Sequence, residues 1–188
     1  MAHDKGVNLL HSEHLMSPSE IPDNLIDLHR QEEELRRKAI EWIAGDVRLS
    51  LHFAAIEQAM NLADVLRQFN TQNEDLKVIQ MLGIRTFNAF GASLKLALSG
   101  YSQNGALVMR DILETVFLID LFQGDRKLIK KWRLADKTTL DKEFMPVKVR
   151  MALDSRDGFT SKKREAIYKL FSELAGHPTM KSALMLRP

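Results

Sequence analysis

Arg110 and Glu114 are the residues of this chain whose types and spacing most clearly allow chemistry. They stand four residues apart in a predicted helix, so their side chains share one helical face. A guanidinium offers a planar fork of N–H donors that suits a carboxylate or a phosphate. The pair therefore predicts either an internal ion pair that fixes the helix register or a polar pocket that holds an anion.

His177 is the second candidate for chemistry. It follows Gly176 at the end of the last predicted helix, where the helix dipole stabilises a charged imidazole. Histidine is also the side chain best suited to proton transfer near neutral pH. We interpret His177 either as a C-cap that bonds the last carbonyl groups or as an acid–base group. Tyr168 and Ser172 lie on the same side of that helix and would orient it.

Signatures of the familiar catalytic sites are missing from the sequence. The chain has no cysteine, which excludes disulfides, cysteine-ligated metals and a thiol nucleophile. It has no glycine-rich phosphate loop, nucleophile elbow or zinc-binding helix motif. His11 and His14 have metal-like spacing, but they lie in an irregular arm, so no metal and no cofactor is predicted. A net charge of +2 does not indicate a nucleic-acid binder, although a local basic patch is compatible with it.

The length of 188 residues fits one domain with a sizeable core. We predict an irregular N-terminal arm over residues 1–24 and a helical domain over residues 25–180. Residues 181–188 form a tail that ends on an apolar run, as a truncated chain would. The start lacks the pattern of a signal peptide, and no run of about 20 uncharged apolar residues occurs. We expect a cytoplasmic protein without membrane association.

Apolar residues recur at spacings of three and four along the domain, which predicts an all-α fold. The most suitable architecture is an antiparallel bundle of about four main helices with shorter helices packed on it. The helix that carries Arg110 is apolar nearly all round, as is typical of the buried centre of a bundle. Small residues crowd the middle of the preceding helix and predict close approach by a neighbour: Gly83, Ala89, Gly91, Ala92 and Ser93. The predicted helices span residues 25–44, 47–69, 74–98, 102–123, 126–139, 144–153 and 161–175, with Asp46 and either Thr160 or Ser161 as N-caps.

The run from Gly105 to Thr115, preceded by Gly100-Tyr101, resembles a bacterial family of unknown function with an HEPN-like helical fold. A tryptophan and a late Ser–His pair follow in the family's order, here Trp132, Ser172 and His177. The resemblance covers roughly residues 76–180. It implies a helical bundle that often dimerises, and many HEPN proteins are metal-independent ribonucleases of toxin or phage-defence systems. Their hallmark, an arginine and a histidine on one helix with four to six residues between them, has no match in this chain; Arg48 and His52, with three residues between them, come nearest.

Two functions remain open at this point. The first is a non-catalytic interaction or ligand-binding module, expected to be a homodimer. The second, implied by the resemblance, is an HEPN-like ribonuclease or RNA-binding protein with an RNA or protein partner. In that enzyme Arg110 would stabilise phosphate charge, Glu114 would orient Arg110, and His177 would act as acid or base. The candidate ligand-binding residues are Tyr101, Asn104 and Ser172.

Overall fold

A computed structural model describes residues 21–176, 180 and 182–186, and this part of the chain is helical without any strand. The prediction of an all-α bundle is confirmed. Two π-helical turns, Leu140–Phe144 and Ser172–Gly176, and a 3-10 helix, Ser182–Leu186, complete the architecture. The α-helices are α1 (Asp23–Gly45), α2 (Val47–Gln68), α3 (Glu74–Leu98), α4 (Ser102–Gly124), α5 (Lys127–Arg133), α6 (Lys137–Thr139), α7 (Pro146–Arg156) and α8 (Lys163–Phe171).

Helices α3 and α4 form a tight antiparallel hairpin. Gly100 adopts a φ of +93° in the turn, a conformation that favours glycine, and Tyr101 N–H closes the turn by donating to the Leu96 carbonyl at 2.8 Å. A Cβ added to Gly105 would lie 3.2 Å from the Ser93 carbonyl oxygen, so the two backbones approach closely there. The Ser93 hydroxyl donates to the Gly105 carbonyl at 3.1 Å and bridges the contact.

The expected close approach is therefore real, and it occurs at Ser93, one of the small residues of α3, opposite Gly105 of α4. A Cβ added to Gly83 or Gly91 would meet nothing within 4 Å, so these two glycines do not make the close contact.

Helix α4 is the centre of the fold. It contacts α3, α5, α7 and α8, in agreement with its apolar composition. Phe122 is only 1% exposed, and the rings of Trp132 and Phe144 meet it edge-on at centroid distances of 6.0 and 6.4 Å. The core cluster consists of Val78, Leu82, Phe122, Ile129 and Phe144.

Helices α1 and α2 form an outer layer with little burial. None of the residues of α1 is buried, and Ala63 is the one buried residue of α2. The Asp46 side chain accepts hydrogen bonds from the backbone N–H groups of Arg48 and Leu49, so the predicted cap is confirmed. No helix in the described part of the chain is long and apolar enough to cross a membrane.

Three predicted boundaries differ from the structure. Helix α1 begins at Asp23, inside the predicted arm. The helix predicted over 126–139 is two helices, because Asp136 starts a new one by accepting from the Thr139 N–H at 2.8 Å. The predicted cap at Thr160 or Ser161 is wrong: α8 follows Lys162, which has a φ of 48° and makes no side-chain cap bond.

Candidate functional site

Arg110 and Glu114 form a loose ion pair that is not sealed in the core. Arg110 Nε lies 3.7 Å from Glu114 Oε1, and the two side chains are 33% and 29% exposed. An exposed fraction near one third means that water reaches both groups and screens their attraction. Arg110 and Glu114 are therefore not sealed inside the bundle, because water reaches both side chains.

Tyr168 on α8 connects the pair to the rest of the site. Its hydroxyl donates to Glu114 Oε1 at 2.9 Å, and Arg110 Cζ lies 5.7 Å from the centre of its ring. Burial and the hydrogen bond to Glu114 raise the pKa of the Tyr168 hydroxyl above its ordinary value. The tyrosine is therefore a protonated donor at neutral pH, and it ties α8 to α4.

Arg150 on α7 lies against the same tyrosine. Its Cζ is 3.9 Å from the centre of the Tyr168 ring, a close cation–π contact. The residue is only 8% exposed, and its Nη1 is buried without a hydrogen-bond partner. The sequence did contain a signal for it, since Arg150 stands three residues before the buried Leu153 and therefore shares its face of α7.

A cavity of about 410 Å³ opens between α7 and α8 beside Arg150 and Tyr168. A second cavity, of about 320 Å³, lies on the α3 side of α7 and is lined in part by Glu114. The hydrogen bond between Tyr168 and Glu114 thus joins residues that line two different cavities. The lining of the α7–α8 cavity comprises Val147, Arg150, Met151, Asp154, Ser155, Phe159, Thr160, Lys162, Glu165, Tyr168 and Lys169.

A network of ion pairs holds the ends of α4, α7 and α8 together. Arg164 contacts Asp154 at 2.7 Å and also binds Asp157. Arg156 contacts Asp120 at 3.0 Å and Asp157 at 2.7 Å. The guanidinium groups of Arg156 and Arg164, in that order, lower the pKa of Asp157 to about 2. Asp120, which the helix pattern marks as an ordinary boundary residue, is thus part of the join between three helices.

The ligand-binding candidates at the start of α4 lie apart from this cluster. The Tyr101 hydroxyl donates to Glu32 Oε1 on α1 at 2.6 Å, and this bond raises the pKa of the tyrosine and lowers that of the glutamate. Asn104 is exposed in the first turn of α4. Tyr101 therefore fastens the outer helix α1 to the hairpin, and neither residue contributes a described contact to Arg110 or Glu114.

Of the two site candidates near the C-terminal end, the structure describes Ser172 but not His177. The Ser172 hydroxyl, at the start of the π-helical turn that follows α8, donates to the Tyr168 carbonyl at 3.0 Å. His177 lies outside the described residues, as do His11 and His14. Of the predicted site residues, the structure brings together Arg110 and Glu114. Ser172 lies one helical turn after Tyr168, which contacts both of them.

The cluster offers groups that suit the binding of an anion. Arg110 and the Tyr168 hydroxyl contact Glu114, and a second guanidinium, that of Arg150, lies against the Tyr168 ring. Within the residues that the structure describes, no group of three metal-ligating side chains comes together.

A basic groove lies along α5 and was missed at the level of the sequence. Lys127, Lys130 and Lys131 line a groove of about 640 Å³ next to α6, and Lys131 pairs with Glu143 at 2.5 Å. The signal was available in the charge pattern. Residues 126–137 hold six basic side chains and one acidic one, although the whole chain has a net charge of only +2.

An exposed apolar stripe on α2, the α2 seam, was also missed. Its members recur every three or four residues, and this spacing is typical of a helix that packs along another helix. All seven members are exposed. The exposed fractions of Leu62, Val65 and Phe69 lie between 61% and 65%. The α2 seam consists of Val47, Leu51, Ala55, Gln58, Leu62 and Val65 of α2 together with Phe69, the residue directly after the helix.

Comparisons of the chain with protein-family models, with curated proteins and with solved structures find no match. The HEPN-like resemblance therefore stays a prediction from the residues that carry it.

Proposed function

We propose that this chain is a non-catalytic helical interaction module that pairs with a second copy of itself through the α2 seam. One observation carries the proposal: α2 exposes apolar residues at heptad-like spacing over its whole length, about 33 Å. Isolated exposed apolar residues are ordinary, but a continuous stripe of them favours a partner helix.

The order of residues in the α2 seam favours an identical helix as the partner. Gln58 is the middle member, with three members on each side. In an antiparallel pair with its twofold axis at Gln58, Leu51 of one copy lies opposite Val65 of the other, and Val47 lies opposite Phe69. A self-complementary patch of this kind is what a twofold dimer requires. A single polar residue within an apolar seam also specifies register.

The flanks of the α2 seam are compatible with such a pair. On the surface of the helix, the positions next to the seam carry no aspartate, glutamate, lysine or arginine from Leu51 to Phe69. Two copies can therefore meet there without like-charge repulsion. Ala55 in the seam and Ala54 and Ala59 beside it have small side chains, which permit a close helix contact. The flanking residues are His52, Ala54, Ala59, Asn61, Leu66 and Gln68.

The test is a measurement of mass by sedimentation equilibrium over a range of protein concentrations. The wild-type chain, of 21.5 kDa, is expected at twice that mass. Leu62→Arg should give the monomer mass, because it places a charge in the seam. Leu134→Arg, a substitution of an equally exposed leucine outside the seam, should remain dimeric. A wild-type chain that is monomeric throughout, or a dimer that survives Leu62→Arg, would contradict the proposal.

The orientation of the pair has its own test, because the chain contains no cysteine. Under mild oxidation Gln58→Cys should form a disulfide with its own copy, since the twofold axis brings the two Cβ atoms together. Leu51→Cys alone should not, whereas a mixture of Leu51→Cys and Val65→Cys should. Efficient self-linking of Leu51→Cys would instead indicate a parallel pair.

RNA binding is a second candidate function, favoured by the basic groove along α5. Three lysines along one groove suit a phosphate backbone and predict salt-sensitive binding without base preference. The affinity for a single-stranded RNA should fall as salt rises, and Lys127→Gln with Lys130→Gln should weaken binding and flatten that salt dependence. Incubation of the protein with RNA in EDTA tests the ribonuclease alternative; cleavage that survives His177→Ala would remove the role assigned to that histidine.

A further inference from the structure

We propose that the cavity between α7 and α8 binds a small organic carboxylate through Arg150. This site is separate from the α2 seam and does not depend on the proposed dimer. The starting point is the state of Arg150, which is more than nine-tenths buried and lines the cavity. Burial of a guanidinium is costly unless an anion compensates its charge.

Within the described residues, Arg150 has no anion in direct contact. No carboxylate oxygen of this part of the chain lies within 4 Å of its guanidinium, and its Nη1 is buried without a hydrogen-bond partner. Its close partner is the ring of Tyr168, at 3.9 Å from Cζ. An aromatic ring attracts a cation less strongly than a carboxylate does, so the positive charge of Arg150 is only partly compensated.

The acidic side chains of the cavity are already engaged elsewhere. Asp154, one turn along α7, accepts from Arg164 at 2.7 Å. Glu165 is bound by Lys169 at 2.5 Å and lies 4.0 Å from Lys162. Glu165 interacts with Arg150 at longer range, but neither carboxylate forms a direct ion pair with it. An anion from outside would supply that direct contact without disturbing the existing ion pairs.

The charge and shape of the cavity select the class of ligand. Three cationic side chains line it against two acidic ones, so one positive charge is left over, which matches a monocarboxylate better than a phosphate dianion. Ser155 and Thr160 add hydroxyl groups at the wall. Phe159 and Met151 add apolar surface that suits a compact ring or alkyl body. A volume of about 410 Å³ is sufficient for a ligand of this size.

Benzoate is a suitable probe because benzamide offers a neutral molecule of nearly the same shape. Isothermal titration should show saturable binding of benzoate with a Kd of about 1 mM or tighter, at least about tenfold stronger than benzamide. Carbon-13 labelling of the methionine methyl groups localises the event, since Met151 lines the cavity and its signal should shift with the same Kd. Equal affinity for the two probes would overturn the proposal.

Arg150→Met should weaken benzoate binding by about tenfold or more. Lys148→Met is the matched control, because it removes one positive charge from an exposed position of the same helix and should leave the Kd within about twofold. A Kd that is unchanged in Arg150→Met would contradict the assignment. Far-ultraviolet circular dichroism checks that the variant is folded. If it is not, Thr160→Trp tests the proposal by filling the cavity, which should abolish binding while every charge remains.

Inorganic phosphate provides the last arm of the experiment. It should bind more weakly than benzoate, because it lacks the apolar body and carries more charge than the cavity compensates. Phosphate that binds more tightly than benzoate and depends on Arg150 would overturn the carboxylate assignment.

Discussion

Helices α2 and α4 have nearly the same length, 22 and 23 residues, and both are rich in apolar side chains. Helix α4 has five buried residues and is surrounded by α3, α5, α7 and α8. Helix α2 has one buried residue and packs on α3 and α1. The difference teaches that apolar content alone does not decide burial: within the described part of the chain, α4 is covered on several sides, whereas α2 keeps an exposed apolar stripe.

Truncation of matched leucines should separate the two regions most clearly. Leu153 on α7 packs in the layer around α4 and is fully buried, whereas Leu62 in the α2 seam is 63% exposed. Leu153→Ala should lower the free energy of unfolding by about 3 kcal/mol, and Leu62→Ala by less than about 1 kcal/mol in the monomer. Urea denaturation at low protein concentration measures both. Similar losses would mean that the α2 seam is covered within the single chain.

Ion pairs in the two regions should also differ in strength. Arg164 and Asp154 are each 14% exposed, whereas Arg67 and Asp64 on α2 are 53% and 36% exposed. Arg164→Met should cost about 2 kcal/mol, because it leaves Asp154 unpaired and poorly solvated. Arg67→Met should cost less than about 0.5 kcal/mol. The same denaturation experiment applies, and an equal cost for the two variants would contradict the contrast.

Glu114→Gln tests how open the central helix is at its charged pair. Both partners are about one-third exposed, so loss of the charge should reduce the free energy of unfolding by less than about 1 kcal/mol. A sealed pair would cost about 3–5 kcal/mol. The hydrogen bond from Tyr168 can be retained by the amide oxygen, so thermal unfolding of this variant reports mainly on the lost charge.

Acid unfolding should show the smallest effect and should depend on Asp157. The native ion pairs lower its pKa from 3.8 to about 2, so its contribution is complete above about pH 4 and is lost as the pH falls toward 2. Asp157→Asn should flatten the pH dependence of stability in this window. Asp141→Asn, at an exposed carboxylate outside the network, is the control. An unchanged acid profile in Asp157→Asn would show that the pairs do not persist in solution.

Much of the fold follows from the sequence because helix signals are local. The spacing of apolar residues, the cap at Asp46 and Pro146 in the first turn of α7 predict helices that the structure contains. The split near Asp136 and the late start of α8 were not predicted. Both depend on where neighbouring helices hold the chain, as the positive φ of Lys162 illustrates. Local pattern contains no information on that constraint.

The candidate site was less predictable than the fold. The pairing of Arg110 with Glu114 follows from their spacing, but their exposure depends on how α7 and α8 pack beside α4. Arg150 and Tyr168 come from two later helices, so their contact is invisible until tertiary packing is known. The α2 seam and the basic groove, by contrast, have signals in the sequence: the first is a heptad-like stripe of apolar residues, and the second is a cluster of basic residues.

The short turn at Gly100 has a consequence for the folding reaction. Because α3 and α4 are joined by three residues, the first tertiary contact between helices forms at almost no loop-closure cost. The Ser93–Gly105 contact is therefore expected to form early, and the later helices dock on a hairpin that already exists. A substitution at Gly105 should then slow refolding more than it speeds unfolding, so its φ-value should be high. The tightest contact of the native bundle would also be the first step of its assembly.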